Sequence, residues 1–333
     1  MSDVLFRLSD LPVTRYGAAV ALAALLSLML TTRREDRLGP WVRFAFCTVL
    51  FGWLGARLMF VLPDLVMGWL NELGVIAEHN SVYLNAIGSA VPALYFWEGG
   101  YSLAGLIPGA ILGAAIAEAA THARRGEWRD RLAMALPAFM LVERLAEYGS
   151  DIGTGVEIGK GWLTGLGICP AEGGTYFHPL CLYEALTALV VLIIMVVLSF
   201  NGRKRPGGDL LRLCLVFLCL PTVALEAFRP LTGHMIIHFV NVTQVVMMLL
   251  ALVPAIRWSH RISKSRHGGG LRVGIRLLGW LGIGIAIGLA VYCIFGMEKD
   301  WVSRGTAYAL IALSMAAVGG VALSFRAAAG RKE

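Results

Sequence analysis

Residues 178–200 read His178-Pro179-Leu180-Cys181-Leu182-Tyr183-Glu184-Ala185-Leu186-Thr187-Ala188-Leu189-Val190-Val191-Leu192-Ile193-Ile194-Met195-Val196-Val197-Leu198-Ser199-Phe200. No charge follows Glu184 in this run. Its length matches the roughly 20 residues with which a helix crosses a bilayer. Pro179 suits the first turn of a helix, where its missing N–H is not needed. Glu184 then lies about one and a half turns deeper.

Similar apolar runs occupy 16–32, 44–62, 101–121, 132–148, 210–228, 235–256, 273–297 and 305–325. With 178–200 they predict nine spans in an all-α, polytopic membrane helix bundle. The 333 residues are 57% apolar and 15% charged, with mean hydropathy +0.70. A soluble domain carries about 25% charged residues. The first run has no basic segment ahead of a small-residue cleavage site, and Arg33-Arg34 follows it, so it is not read as a cleavable signal peptide.

The net charge of +7 suggests a nucleic acid only until the charges are located. With the N-terminus outside, Arg7, Arg15, Lys160, Arg229, Lys299 and Arg304 fall outside, and Arg57 and Arg144 fall at membrane depth. Every other Lys and Arg lies in or beside 33–43, 122–131, 201–209, 257–272 or the tail after 325. That bias is the positive-inside signature and sets N-out/C-in. It accounts for the basic charge without nucleic acid. Five of the six cysteines (Cys47, Cys181, Cys214, Cys219 and Cys293) sit in apolar runs, and Cys169 has no obvious partner, so no disulfide framework is expected.

Charges at membrane depth are costly and each asks for a reason. The chain has Arg57, Glu118, Glu143, Arg144, Glu147, Glu184 and Glu226 there, with Arg229 just beyond the sixth span. Glu118 stands near the inner end of its span, where pairing or snorkelling is the simplest account. Glu143, Arg144 and Glu147 cluster in the fourth span, and residues three and four apart share a helix face. Their surplus negative charge asks for a cation or a protonated acid, and Arg57 and Arg229 stand at the same depth. Three arginines at one level suggest an outward-facing polar cavity, where guanidinium forks suit a lipid phosphate. The same residues also fit an internal salt-bridge network. His178, Tyr183 and Glu184 can face that cavity, although His178 also suits an interfacial anchor. Trp97-Glu98-Gly99-Gly100-Tyr101-Ser102 precedes the third span, and its paired glycines permit close backbone approach. His234 and His238 have the i, i+4 spacing of a helical metal pair but no third ligand nearby, so no metal is expected.

In order, these pieces resemble the prolipoprotein diacylglyceryl transferase family. Arg15-Tyr16-Gly17 is similar to the family's opening of its first span, and Gly55-Ala56-Arg57 to its "GAR". Trp97 to Ser102 resembles "WEGGMS", and Arg144 falls at the signature arginine. His178-Pro179 with Leu182-Tyr183-Glu184 reproduces "HPxxLYE", and Leu225 to Arg229 looks like "VEFFR". The resemblance implies a seven-helix transferase-like domain over 1–256. Residues 257–333 then add a basic loop and two further spans. It also implies transfer of diacylglyceryl from phosphatidylglycerol to a lipoprotein-precursor cysteine, in the bacterial cytoplasmic (inner) membrane. The expected partners are that anionic lipid and the prolipoprotein signal-peptide region. No cofactor, metal or nucleic acid is expected. Carried over by position, Arg144, His178, Glu147 and Tyr16 are the catalytic candidates. Arg57, Glu98, Gly99, Gly100, Tyr183, Glu184, Glu226 and Arg229 are the substrate-binding candidates.

The chain departs from the family pattern at Ala104, Glu147 and Thr222, where the family has histidine, asparagine and arginine. Thiol attack on a glyceryl carbon needs a thiolate, and a free cysteine has pKa about 8.5. It also needs charge stabilisation at the departing phosphate. Arg57, Arg144 and Arg229 meet the second need, and His178 or Glu147 is the replacement base. Three losses at about 10²–10⁴-fold each would otherwise leave little activity. The alternatives are a catalytically impaired homologue that binds lipid or assists assembly, and a transporter.

Overall fold

The computed structural model describes residues 4–8, 11–32, 37–72, 100–148, 153–158, 167–168, 174–200, 206–229, 235–237, 240–263 and 269–330. The chain opens with a hairpin of β1 (Val4–Leu8) and β2 (Leu11–Thr14), paired antiparallel. Helices α1 (Arg15–Met29), α2 (Leu38–Glu72), α3 (Leu103–Thr121), α4 (Glu127–Ala146), α5 (Leu180–Phe200) and α6 (Asp209–Leu225) follow. A 3-10 turn over Glu226–Phe228 extends α6. The hairpin β3 (Met235–Ile237)/β4 (Val240–Asn241) then leads into α7 (Val242–Ser263), α8 (Gly269–Glu298) and α9 (Arg304–Gly330).

Among the described residues, each apolar run contains an α-helix. Among the same described residues, seven stretches are long and apolar enough to cross a membrane: Leu38–Pro63, Leu103–Thr121, Leu180–Phe200, Asp209–Phe228, Val242–Ser263, Val273–Glu298 and Arg304–Ala329. The chain is therefore a multi-pass helical membrane protein. Helix α1 is short, at 15 residues, and α4 carries charges at both ends. One run begins differently from its reading: Met235–Ile237 and Val240–Asn241 pair as antiparallel strands, and the helix starts only at Val242. Asn241 stops the helix from extending backwards. Its Oδ1 accepts from Thr243 N at 3.0 Å, while Gln244 Oε1 accepts from Asn241 N at 3.1 Å. This reciprocal cap satisfies donors that a helix start otherwise leaves open.

The chain divides into two units, Met1–Phe139 with Pro206–Gly208, and Met140–Arg205 with Asp209–Glu333. In the first unit, α2 and α3 pack through glycine. Gly105, Gly109 and Gly113 recur every fourth residue, so they line one face of α3. A Cβ on any of them would run into the α2 backbone at Gly55, Phe51 or Cys47. Small residues at this spacing let two membrane helices approach closely, where van der Waals contact drives association. Two buried charges of this unit, Glu118 and Arg131, have ion-pair partners close by in sequence. Glu118 pairs with Arg129 at 2.8 Å, as its position near the span end suggested. Arg131 pairs with Glu127 at 2.9 Å and lies over the Trp128 ring at 4.3 Å.

In the second unit, α9 packs on α6 and α7, and α8 packs against α9. Asp209, at the start of α6, accepts from Trp258 Nε1 of α7 at 3.1 Å and from Arg326 Nη2 of α9 at 2.9 Å. One buried carboxylate therefore ties three helix ends together.

Candidate functional site

The second unit gathers a chain of buried charges at the ends of α4, α5 and α6. Glu143 and Arg144 lie in the last turn of α4, and Glu147 follows it in a turn. Arg144 Nη1 donates to Glu147 Oε2 at 2.6 Å. Its Nε lies 3.2 Å from Glu143 Oε2 and 3.0 Å from Glu184 Oε2. Glu184, one turn into α5, is only 1% exposed and is shared by both arginines. Arg229 Nη2 reaches Glu184 Oε1 at 3.0 Å, and Arg229 Nε reaches Glu226 Oε2 at 3.0 Å. Asn241 Nδ2 completes the series with 2.9 Å to Glu226 Oε1.

The local backbone explains why these groups meet. The 3-10 turn over Glu226–Phe228 ends α6, and Arg229 is extended (φ −76°, ψ 141°), which turns its side chain back toward Glu226. Burial works against the charge of Arg229, but Glu184 and Glu226 outweigh it and hold the guanidinium above its ordinary value. Arg144 and Arg229 face Glu143, Glu147, Glu184 and Glu226, so this group is rich in carboxylate. An approaching anion would have to compete with those carboxylates for the guanidiniums.

Next to this network stands an aromatic group. His178 Nδ1 and Tyr183 Oη are 3.2 Å apart. Phe228 meets His178 edge-on at 5.3 Å and Tyr183 at 6.5 Å. The segment 153–158 holds both partners by their backbones. Gly155 N donates to His178 O at 2.7 Å, Val156 N to Phe228 O at 2.7 Å, and His178 N to Val156 O at 3.0 Å. A Cβ on Gly155 would lie 2.9 Å from Phe228 O, so the approach requires glycine. Burial pushes the His178 imidazole below its ordinary value.

The remaining candidates belong to the first unit. Arg57 Nη1 donates to Gly100 O at 3.0 Å, and its guanidinium stands 5.8 Å from both the Phe60 and Tyr101 rings. Gly100 has φ +79°, and a Cβ there would enter the Phe60 ring, so glycine is required. Tyr16 lies in the first turn of α1 and is 38% exposed. Glu98 and Gly99 lie outside the described residues, as do His234, His238 and Cys169.

The departures are equally well placed. Thr222 is buried and donates to Leu218 O of its own helix at 2.8 Å, and Ala104 is fully buried in α3. Sequence reasoning missed Asn241 and Phe228. The Asn-x-x-Gln cap at 241–244 is a signal that would have found the first, and the match of Phe228 to the last phenylalanine of "VEFFR" one that would have found the second.

The chain matches the protein-family model described as prolipoprotein diacylglyceryl transferase over residues 3–259. The chain belongs to this family. It is similar to the phosphatidylglycerol–prolipoprotein diacylglyceryl transferase of Symbiobacterium thermophilum, 28% identical over 269 residues, covering 76% of this chain and 90% of the relative. The protein of that name from Halalkalibacterium halodurans is 22% identical over 279 residues, covering 80% and 88%. The one from Parasynechococcus marenigrum is 28% identical over 246 residues, covering 68% and 79%. The family match stops before α8 and α9.

Proposed function

We propose that this chain transfers the diacylglyceryl group of phosphatidylglycerol to the cysteine thiol of a lipoprotein precursor. The observation that carries the reading is the buried Glu147–Arg144–Glu184–Arg229–Glu226 network, built from segments that match the family's motifs. In the reaction the cysteine sulfur attacks the glyceryl carbon, and a carbon–sulfur bond forms. The bond from that carbon to the phosphate oxygen breaks, and glycerol phosphate leaves with the electron pair. The thiol proton passes to a base.

His178 is our assignment for the base. In the tautomer whose Nδ1–H donates to Tyr183, Nε2 carries the lone pair, and burial favours the neutral ring. Glu147 is less suited, because Arg144 holds its carboxylate at 2.6 Å. Arg144 and Arg229 are assigned to the departing phosphate, where forked, permanently charged donors stabilise developing charge. Glu184, Glu226 and Tyr183 hold these groups in place. Tyr16, Arg57, Glu98, Gly99 and Gly100 are assigned to substrate handling by motif position.

We place the protein in the bacterial inner membrane with nine spans, N-out and C-in, on the charge bias of its loops. The precursor's signal-peptide region would bind from the outer side. Residues 1–256 form the transferase-like domain in this reading, and 257–333 an addition to it.

The test supplies purified protein with phosphatidylglycerol vesicles and a lipobox peptide, and follows diacylglyceryl-peptide by mass spectrometry. Thioether product with stoichiometric glycerol phosphate supports the reading. Lipid binding without product overturns it in favour of a homologue that binds but does not transfer. That second reading draws on Thr222, whose hydroxyl bonds to its own helix where the family pattern has an arginine.

A further inference from the structure

Tyr308 lies on α9, beyond the residues that the family match covers. Its ring stacks on Phe228, with centroids 3.9 Å apart and planes inclined by 21°. Phe228 in turn meets His178 and Tyr183 edge-on. The backbone of Phe228 is held by Val156, but backbone bonds leave the ring's own torsions open. The stacked Tyr308 closes that freedom. Helix α9 can serve as a support because it is itself anchored. Arg326 binds Asp209 at 2.9 Å, and at Gly319 the helix comes so near α6 that a Cβ would lie 3.2 Å from Leu220.

We propose that Tyr308 is a positioning residue, which locks the Phe228 ring so that Phe228 in turn fixes the place of His178 and Tyr183 for group transfer. The α8–α9 hairpin is then a working part of the site. The inference rests on the transfer reading above for its kinetic consequence, although its geometric content stands apart from it. What the lock requires of residue 308 is a flat ring. The hydroxyl is dispensable, so phenylalanine suffices and an aliphatic residue does not.

The experiment compares full-length wild type with Tyr308→Phe, Tyr308→Leu and Tyr308→Met, and with Leu313→Ala as a control on an exposed position of the same helix (65% exposed). Two aliphatic variants are included so that one poorly folding protein does not decide the outcome. One readout is kcat and KM for phosphatidylglycerol. The other is the imidazole signal of His178 in histidine-labelled protein, assigned with His178→Gln and sensitive to the ring current of Phe228. The aliphatic variants should lower kcat by up to about 10²-fold, the scale of a reacting group misplaced by about 1 Å, with KM nearly unchanged. They should also move the His178 signal, while Tyr308→Phe and Leu313→Ala match wild type in both. Wild-type kcat and an unmoved signal in the aliphatic variants would overturn the proposal. So would a parallel fall of kcat and melting temperature with the signal unmoved. If wild type transfers nothing, the signal decides alone: movement in the aliphatic variants but not in Tyr308→Phe upholds the positioning role, and the transfer reading falls separately.

Discussion

Arg144 donates to Glu147 across 2.6 Å, from the last turn of α4 to the turn that follows it. A guanidinium held this closely has less charge to offer a lipid phosphate. Replacing Glu147 with asparagine frees one face of Arg144. The freed guanidinium binds the phosphate more tightly, and the KM for phosphatidylglycerol should fall about tenfold for each ~1.4 kcal/mol gained. Vesicle kinetics over a range of lipid content measure this, and a raised KM would show that Glu147 assists binding instead.

Removing Arg144 leaves Glu143, Glu147 and Glu184 without the cation they share. Breaking a buried pair from one side typically costs about 3–5 kcal/mol. Arg144→Gln should therefore melt well below wild type, and the double variant Arg144→Gln/Glu147→Gln should recover part of the loss. Thermal unfolding in detergent gives both numbers, and purely additive effects would contradict the coupling seen in the geometry.

His178→Ala should cost about 10²–10⁴-fold in turnover if the imidazole is the base. Burial lowers its pKa below the ordinary 6.5, so the ring is neutral at pH 7 and accepts a proton there. Activity should hold as pH falls to about 6.5 and fail only below it, as the ring protonates. The stability contribution has the same sign, because the folded state binds this proton less readily than the unfolded chain. It is present above the unfolded value and is lost as pH falls through the lowered one. If turnover is unchanged in His178→Ala, the residue is an anchor and the base is to be sought at Glu147.

Gly109→Leu places a large side chain against the α2 backbone at Phe51. Overpacking usually costs about 1–3 kcal/mol, and here the neighbour that must yield is backbone. The variant should lose stability, whereas Leu112→Ala, at an exposed position one turn away (52% exposed), should not. Melting temperatures of the two variants check the seam.

A C-terminal reporter should be active only when its enzyme works in the cytoplasm, and an N-terminal one only outside. The motive is the concentration of Lys and Arg in 33–43, 122–131, 201–209, 257–272 and the tail. A C-terminal reporter active outside the cell would reverse the orientation.

The sequence by itself determined the class of this protein. Runs such as 180–200 are long and apolar enough that, in lipid, only a helix satisfies their backbone, so composition over a short window decides the local structure. Residues close on the chain were legible too: Arg144 stands within helical reach of Glu147, and His178 and Tyr183 share one short motif. Family membership followed because the motifs are themselves local strings. Partners distant in sequence could not be read in this way. That Arg144 and Arg229 share Glu184, that Asn241 holds Glu226, and that Tyr308 covers Phe228 all depend on which helices lie side by side. An apolar helix in a bilayer carries little mark of its neighbours, because lipid tails and protein side chains are alike in polarity. Close packing at small residues, and a few shared carboxylates such as Asp209 and Glu184, make that choice, and they do so only in three dimensions.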